Sequence, residues 1–128
     1  MKDPVVSSIL HVGGAVNCIA IGRGATNMNK LITAGADRRI VIIDPRTWEV
    51  ETTISDHKDF IYSLTTAGNL VFSGAGNGLL LVHDISDNRG KLLYGLGANM
   101  AAVRCIEVVD QSTLITCGDD GKALKYDF

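Results

Sequence analysis

The 128-residue chain is predicted to be an all-β protein built from three repeated units of four short strands. Runs of Val, Ile, Leu and Thr are separated by Gly, Asn, Asp and Ser, and no segment has the 3.6-residue period of a helix. A stretch at residues 33–44 recurs at 73–84 and at 116–127. Each copy contains a hydroxyl residue, a bend of small residues, an Asp or Asn, an apolar strand and a closing Asp. Such internal repetition indicates a repeat architecture.

The twelve predicted strands fall into three cycles of four; the first strand lies at residues 5–10 and the other eleven follow it. The cycles correspond to units at approximately residues 11–54, 57–96 and 98–128. Both prolines, Pro4 and Pro45, lie outside the apolar runs, where a missing backbone donor is tolerated. We assign the strands of the cycles to residues 15–21, 30–34, 40–43, 50–54, 60–65, 70–73, 79–83, 91–96, 102–109, 113–117 and 123–126.

The repeat length indicates the architecture of these units. The closing residues Asp44, Asp84 and Asp127 are 40 and 43 residues apart. Repeats of about 40–45 residues with four strands each are typical of β-propeller blades. Residues 40–43 and 79–82 are apolar at every position, which predicts sheets covered on both faces by neighbouring sheets. We therefore predict three four-stranded antiparallel propeller blades.

Particular residues recur at corresponding positions of the three units. His57 precedes the strand start at Ile61 by four residues, and the equivalent positions hold Val12 and Asn99. The tight-turn position holds Asp37, Asn77 and Asp120. The position before the closing Asp holds Ile43, His83 and Tyr126. This pattern resembles the WD-repeat (Gβ-like) propeller family, whose repeats carry a Gly-His pair, a turn Asp and a Trp-Asp pair, and the resemblance covers almost the whole chain.

The resemblance implies a closing strand and a buried hydrogen-bond network. In the family each repeat supplies the outermost strand of the preceding blade, so residues 5–10 are expected to pair with the last strand of the third blade and to remove an open edge. The network is expected because a buried imidazole needs a polar partner. Its expected members are His57, Ser73, Asn77 and His83. Fragments of it are expected in the other repeats, namely Thr33 with Asp37, and Thr116 with Asp120.

Three blades are too few to close a ring, because closed propellers have at least about four. One interpretation is that two chains meet to make a six-bladed ring. Another is that the chain is the C-terminal part of a larger propeller whose other blades are missing. An isolated three-blade piece exposes two apolar faces and should associate. We therefore predict a homo-oligomer, most simply a two-fold dimer, or association with the missing blades.

Composition excludes several classes of partner and location. The net charge of −2 provides no electrostatic basis for binding nucleic acid or an anionic membrane. No apolar run approaches the roughly 18 residues of a membrane span, and the N-terminus lacks the apolar core of a signal peptide. The odd number of cysteines in apolar runs, Cys18, Cys105 and Cys117, predicts reduced, packed thiols, with a reactive or bridging thiol as the alternative. We expect a cytoplasmic protein, with the nucleus as the alternative.

The sequence predicts no catalytic residue, no metal and no cofactor. Residues 118–122, Gly-Asp-Asp-Gly-Lys, lack the further ligands of a calcium loop and the Ser or Thr of a phosphate loop, so turn chemistry explains them. His11, His57 and His83 lie in different turns and strand ends, which does not predict a zinc site. No Gly-x-Ser-x-Gly elbow for a nucleophile occurs.

Surface turns remain as candidate binding sites. In the family, partners dock on the face formed by the loops that connect blades and by the tight turns between the second and third strands. Phe60 and Met100 are apolar residues in predicted turns of this face, although both could instead pack beneath their own turns. The candidate partner-binding residues are Arg38, Arg39, Lys58, Asp59, Phe60, Asn99, Met100 and Asp119.

The predicted function is a non-catalytic protein-protein interaction scaffold that binds a protein or peptide. The resemblance implies two specific roles, recruitment of substrates to a ubiquitin ligase and service as an assembly platform. The alternative function is a small-molecule-binding or hydrolytic propeller with a site in the central channel. Such a site needs several inward acidic or His side chains, whereas the inner strands offer Asn17, Tyr62, Ser63, Arg104 and Glu107.

Overall fold

The computed structural model of the chain describes residues 8, 13–25, 29–87 and 89–128. These residues form eleven β-strands and no helix, which confirms the predicted all-β fold class. The strands lie in three antiparallel sheets, and each sheet is made of strands that are consecutive in the chain. We call them sheets 1, 2 and 3.

The strand boundaries agree with the predicted ones to within two residues. Sheet 1 contains β1 (Val16–Ile21), β2 (Leu31–Gly35), β3 (Ile40–Ile43) and β4 (Val50–Ile54). Sheet 2 contains β5 (Ile61–Ala67), β6 (Leu70–Ala75), β7 (Leu79–Asp84) and β8 (Lys91–Gly97). Sheet 3 contains β9 (Val103–Val108), β10 (Thr113–Gly118) and β11 (Ala123–Asp127).

Sheet 3 has three strands within the described part of the chain, whereas sheets 1 and 2 have four. The isolated strand predicted at residues 5–10 lies outside the described residues, and so does His11. Its pairing with β11 therefore stays a prediction. The described sheets do not close a ring.

Sheet 2 lies between the other two sheets and packs against both. Ile40 of sheet 1 and Ile61 of sheet 2 belong to one buried apolar cluster. On the other side of sheet 2, Phe72 and Leu80 form a second cluster with Leu114 of sheet 3. A fully buried side chain of this size contributes about 1.5–3 kcal/mol. Apolar residues on both faces of sheet 2 therefore hold the stack together.

Sheet 1 leaves an apolar face open. Val16, Ile19 and Ile21 are exposed on β1, and 63% of the surface of Ile19 is accessible. The corresponding repeat positions in β5 are Ile61 and Leu64, which are buried against sheet 1. The exposed face of sheet 1 therefore has the residue composition of a packed face, but no sheet among the described residues covers it.

The inner strands carry a bulge at the same repeat position. The register shifts between Val16 and Cys18, and between Ile61 and Ser63. In sheet 3, Cys117 pairs with Cys105 but Gly118 with Val103, so one residue of β9 is again extra. The extra residues are Asn17, Tyr62 and Arg104. Bulges redirect side chains, so one polar or aromatic side chain per sheet is directed at the same end of the stack.

The tight turns between the second and third strands are stabilised by side-chain oxygens, as turn chemistry predicts. The oxygens Oδ1 of Asp37, Asn77 and Asp120 each accept a hydrogen bond at 3.1 Å from the backbone N–H two residues later. The left-handed position is Gly78 (φ 84°) in sheet 2 and Gly121 (φ 76°) in sheet 3, but Arg38 (φ 66°) in sheet 1. At Gly78 a Cβ would also overlap the carbonyl oxygen of Asn99. Arg38 therefore occupies a position that favours glycine.

Candidate functional site

One end of the stack collects the loops that connect the sheets. The connecting loops at residues 55–60 and 98–102 lie there, together with the tight turns at 36–39, 76–78 and 119–122. Antiparallel order in all three sheets requires this, because the inner strands begin where the second strands end. We call it the turn end.

Two side-chain hydrogen bonds, one buried and one partly buried, anchor the first connecting loop. Nε2 of His57 lies 2.7 Å from Oγ of Ser73, and both residues are buried. Nε2 of the buried His83 lies 2.8 Å from Oδ2 of Asp56, the residue that precedes His57. Asn77, predicted in the same network, is exposed, and its Oδ1 accepts from the N–H of Leu79. His57 of the loop and His83 of β7 thus hold the first connecting loop to sheet 2.

His57 is held in its neutral form. Its pKa is lowered to about 4, first by burial and then by His83, with Asp56 acting in the opposite direction. Within the described chain, the Nδ1 atoms of His57 and His83 are buried without a hydrogen-bond partner. Ser73 has no accessible surface. The His57–Ser73 pair is therefore closed to a substrate and acts as an anchor.

The second connecting loop has the same anchor with different residues. Oγ1 of Thr116 donates to Oδ1 of Asn99 at 3.0 Å, and Nδ2 of Asn99 donates to Oδ1 of Asp120 at 2.9 Å. The hydroxyl of Tyr126 donates to the carbonyl of Ala98 at 3.2 Å. The pKa of Asp120 is lowered, first by the backbone N–H of Met100 and then by Asn99. Asn99 thus takes the place that His57 has in sheet 2.

Asn99, predicted as a partner-binding residue, is buried. Its surface is 7% accessible, because its amide is needed to satisfy Thr116 and Asp120. Thr116 and Asp120 are consequently joined through Asn99 and do not form an isolated fragment. In sheet 1, Thr33 is buried, and Asp37 Oδ1 accepts from the N–H of Arg39.

The other predicted partner-binding residues lie at the surface of the turn end. Phe60 has 47% of its surface accessible and Met100 has 86%, so neither packs beneath its own turn. Arg38, Arg39, Lys58 and Asp119 are also exposed, and Asp59 is half-buried.

Arg104 and Tyr62 belong to the turn end although the sequence did not single them out for it. Arg104 donates two-pronged hydrogen bonds to the carboxylate of Asp119 at 2.9–3.1 Å. Its guanidinium carbon lies 4.3 Å from the ring centroid of Tyr62. The pKa of Arg104 is raised mainly by the hydrogen bond to Asp119. The signal that could have found both residues is their common repeat position, second in the inner strand.

The inner strands contain no obvious channel chemistry in the described residues. Oγ of Ser63 donates to the carbonyl of Val103 at 2.9 Å, and Nδ2 of Asn17 donates to the carbonyl of Ile61 at 3.0 Å. Both side chains therefore tie one sheet to the next. Among the described residues no group of three or more His, Cys, Asp or Glu is arranged to hold a metal ion, and no helix could cross a membrane.

Two curated proteins are similar in sequence to the chain. The F-box/WD repeat-containing protein mec-15 of Caenorhabditis elegans is 25% identical over 118 residues, which cover 92% of this chain and 28% of that protein. The ciliary WD repeat-containing protein ctxp80 of Euplotoides octocarinatus is 29% identical over 98 residues, which cover 77% of this chain and 13% of that protein. The chain thus spans less than a third of either relative. No known family model matches it.

The matches agree with the architecture. Both relatives are named for WD repeats, and the matches extend over most of the chain. The three antiparallel sheets have the strand order expected of propeller blades. The sequence similarity and the stacked sheets together fit a WD-repeat fragment.

Proposed function

We propose that the chain is a non-catalytic interaction scaffold whose turn end presents Phe60 and Met100 to a protein or peptide partner. WD-repeat relatives generally serve as protein-interaction scaffolds, which supports the proposal at the level of the family. The observation that carries it is the combination of exposed side chain and fixed backbone at Met100. The side chain is 86% accessible, while its N–H donates to Oδ2 of Asp120 at 2.8 Å.

Phe60 has the same combination. Its N–H donates to Oδ1 of Asp59 at 2.7 Å, and its carbonyl accepts from the N–H of Gly76 at 2.8 Å. Ordering a flexible side chain on binding costs about 0.5–1.5 kcal/mol, and ordering a loop costs more. Loops that are already anchored through His57 and Asn99 avoid most of the second cost. The turn end is therefore preorganised for binding.

The mixed charges at the turn end favour a partner that binds mainly through apolar contacts. Arg38, Arg39 and Lys58 bring positive charge to the turn end, while Asp59 and Asp119 bring negative charge. No single sign dominates there, so a nucleic acid or an anionic membrane is not favoured. Apolar anchors surrounded by polar residues are typical of protein interfaces. The partner is proposed to contact the surface between these charged residues and to bury the side chains of Phe60 and Met100.

Partner binding is expected to be lost when both Phe60 and Met100 are replaced by serine. Anchor residues commonly contribute about 2 kcal/mol or more, so the double variant should bind at least tenfold more weakly. Val109→Ser is the matched control, because Val109 is exposed at the opposite end of sheet 3. Partners captured by the wild-type chain are compared among the three proteins by quantitative mass spectrometry. A partner retained by the double variant at wild-type level would contradict the proposal.

We further propose that the chain associates through its open sheet faces. This follows from the apolar face of sheet 1, where Val16, Ile19 and Ile21 are exposed at positions buried in sheet 2. The occupant is either a second copy, giving six blades, or additional blades of a longer protein. Sheet 3 has Cys105, Glu107 and Lys125 on its outward face, so the two end faces differ in character.

Ile19→Lys is expected to abolish self-association, because it places a charge in the centre of the apolar face. Sedimentation at micromolar concentration measures the result, with Met100→Lys as a control in an exposed loop away from both sheet faces. Ile115→Lys is expected to abolish the six-bladed ring as well, because Ile115 lies on the outward face of sheet 3, which a second copy would cover. A wild-type chain that sediments as a folded monomer would rule out the homo-oligomer.

We propose a cytoplasmic location, with the nucleus as the alternative. The cysteines Cys18, Cys105 and Cys117 are free thiols, as is usual in reducing compartments. Imaging of a fluorescent fusion of the full-length protein checks this, and a signal in the secretory pathway would contradict it.

A further inference from the structure

Two cysteines face each other on neighbouring strands of sheet 3. Cys105 of β9 and Cys117 of β10 are directly opposite in the antiparallel register, and both are exposed. The N–H of Val109 donates to the carbonyl of Thr113, so hydrogen-bonded pairs alternate from there along the hairpin. The cysteine pair falls on a hydrogen-bonded position, where opposite Cα atoms lie about 5.5 Å apart. Both side chains project from the same face of the sheet.

The pairing is specific to sheet 3. The corresponding opposite residues are Cys18 and Ala34 in sheet 1, and Ser63 and Gly74 in sheet 2. Cys18 is half-buried, its Sγ lies 3.5 Å from the carbonyl oxygen of Ala34, and burial raises its pKa to about 12. A solvent-facing pair of thiols therefore arises where the third repeat differs from the other two.

The separation suits a bridging atom better than a direct disulfide. Cβ atoms of directly opposite residues lie about 4.5–5.5 Å apart, whereas a disulfide needs about 3.5–4.5 Å. Two sulfurs bound to one metal ion at about 2.3 Å each can lie up to about 4.6 Å apart. The side chains of Cys105 and Cys117 also interact with each other, and this interaction adds to partial desolvation in raising the pKa of Cys117.

The number of ligands decides which ion fits. Zinc requires four protein ligands in a structural site, and the described residues contain no cluster of three or more His, Cys, Asp or Glu suited to a metal. Soft thiolates select Cu(I). This ion can be fully coordinated by two sulfur ligands in a linear arrangement. We propose that Cys105 and Cys117 form a two-thiolate site for a soft monovalent metal ion, Cu(I).

Binding replaces two thiol protons with one monovalent cation and leaves the site with a net charge of −1. Lys125 lies on the same face, opposite Ile115 and diagonal to Cys117, within reach of a long side chain. Glu107 is the other charged residue on this face, opposite Ile115 from the side of β9. Lys125 offsets the charge of the bound complex, and Glu107 opposes it.

Anaerobic titration with Cu(I) against a chromophoric chelator tests the site. The wild-type chain is expected to bind one ion, and Cys105→Ser and Cys117→Ser are each expected to lose that binding. Cys18→Ser is the matched control and should retain it. Because the mutated sites are exposed, far-ultraviolet circular dichroism of the serine variants should remain that of the wild type.

Equal copper affinity in the wild type, Cys105→Ser and Cys117→Ser would overturn the proposed site. Loss of copper binding in Cys18→Ser would also overturn it. So would a mass loss of two hydrogens with no copper retained, which reports a disulfide. The titration is repeated in the Ile19→Lys chain, in which self-association is expected to be lost and the outward face of sheet 3 is therefore expected to stay open. A failure of the Ile19→Lys chain to bind Cu(I) would overturn the copper site alone. It would not affect the partner-binding test at Phe60 and Met100.

Discussion

Replacing Phe72 with alanine is expected to lower the free energy of unfolding by about 3–5 kcal/mol. Phe72 is 1% accessible and lies in the apolar cluster between sheets 2 and 3. Its ring centroid is 4.9 Å from that of Phe128, with the planes tilted by 60°. Truncation removes apolar burial and leaves a cavity between two rigid sheets, which cannot collapse fully. Urea unfolding followed by circular dichroism measures the loss.

Phe60→Ala provides the matched control for this prediction. The same atoms are removed, but Phe60 is exposed at the turn end, so its loss should change stability by no more than about 0.5 kcal/mol. Similar destabilisation by the two substitutions would mean that sheets 2 and 3 do not pack as described. The pair also separates stability from binding, since Phe60 is a proposed anchor for the partner and Phe72 is not.

Acidification from pH 7 to pH 4 is expected to remove about 3 kcal/mol of stability through His57. The native pKa of His57 is about 4, below its ordinary value of 6.5, because the imidazole is buried and lies near His83. Below pH 6.5 the imidazole of His57 becomes protonated in the unfolded chain but stays neutral in the native chain. The free energy of unfolding therefore falls as the pH falls. The loss is nearly complete at the native pKa. Urea unfolding at a series of pH values measures it.

His57→Gln identifies the group responsible. The variant should be less stable at pH 7.5, since it disturbs the bond to Ser73, and its stability should depend less on pH between 6.5 and 4. The aspartates with lowered pKa values, Asp44, Asp84, Asp110 and Asp120, lose their stabilisation only below about pH 4. An unchanged slope in the variant would show that His57 is not the titrating group.

The turn end shows why a candidate site was only partly predictable. The repeat length alone places Phe60 and Met100 in connecting loops, but only the structure shows that their side chains are exposed and do not pack beneath their own turns. Asn99 is predicted as a partner-binding residue because it lies in a connecting loop of this face. Its actual role depends on Thr116 and Asp120 converging on it from two other segments. Repeat position could have revealed this, since Asn99 stands where sheet 2 has His57.

Arg104 and the two exposed cysteines illustrate a second kind of limit. The bulge that directs Arg104 toward Tyr62 and Asp119 is a property of strand register. The period-two alternation of apolar and polar residues in the sequence does not show where a bulge adds an extra residue. The same register brings Cys105 opposite Cys117, although twelve residues separate them in the chain. The spacing of the cysteines in the sequence therefore gives no sign of a pair, whereas the sheet places Cys105 opposite Cys117.

By itself the sequence determined the all-β class, the three repeats, the strand positions and the turn residues. These follow from local alternation of apolar and turn-forming residues, which short-range sterics and backbone hydrogen bonding translate directly into strands. Only the tertiary structure decided which faces stay open and which side chains meet. Those outcomes depend on contacts between segments that are distant in the chain, such as Phe72 with Phe128 and His83 with Asp56, and no local pattern encodes such pairings.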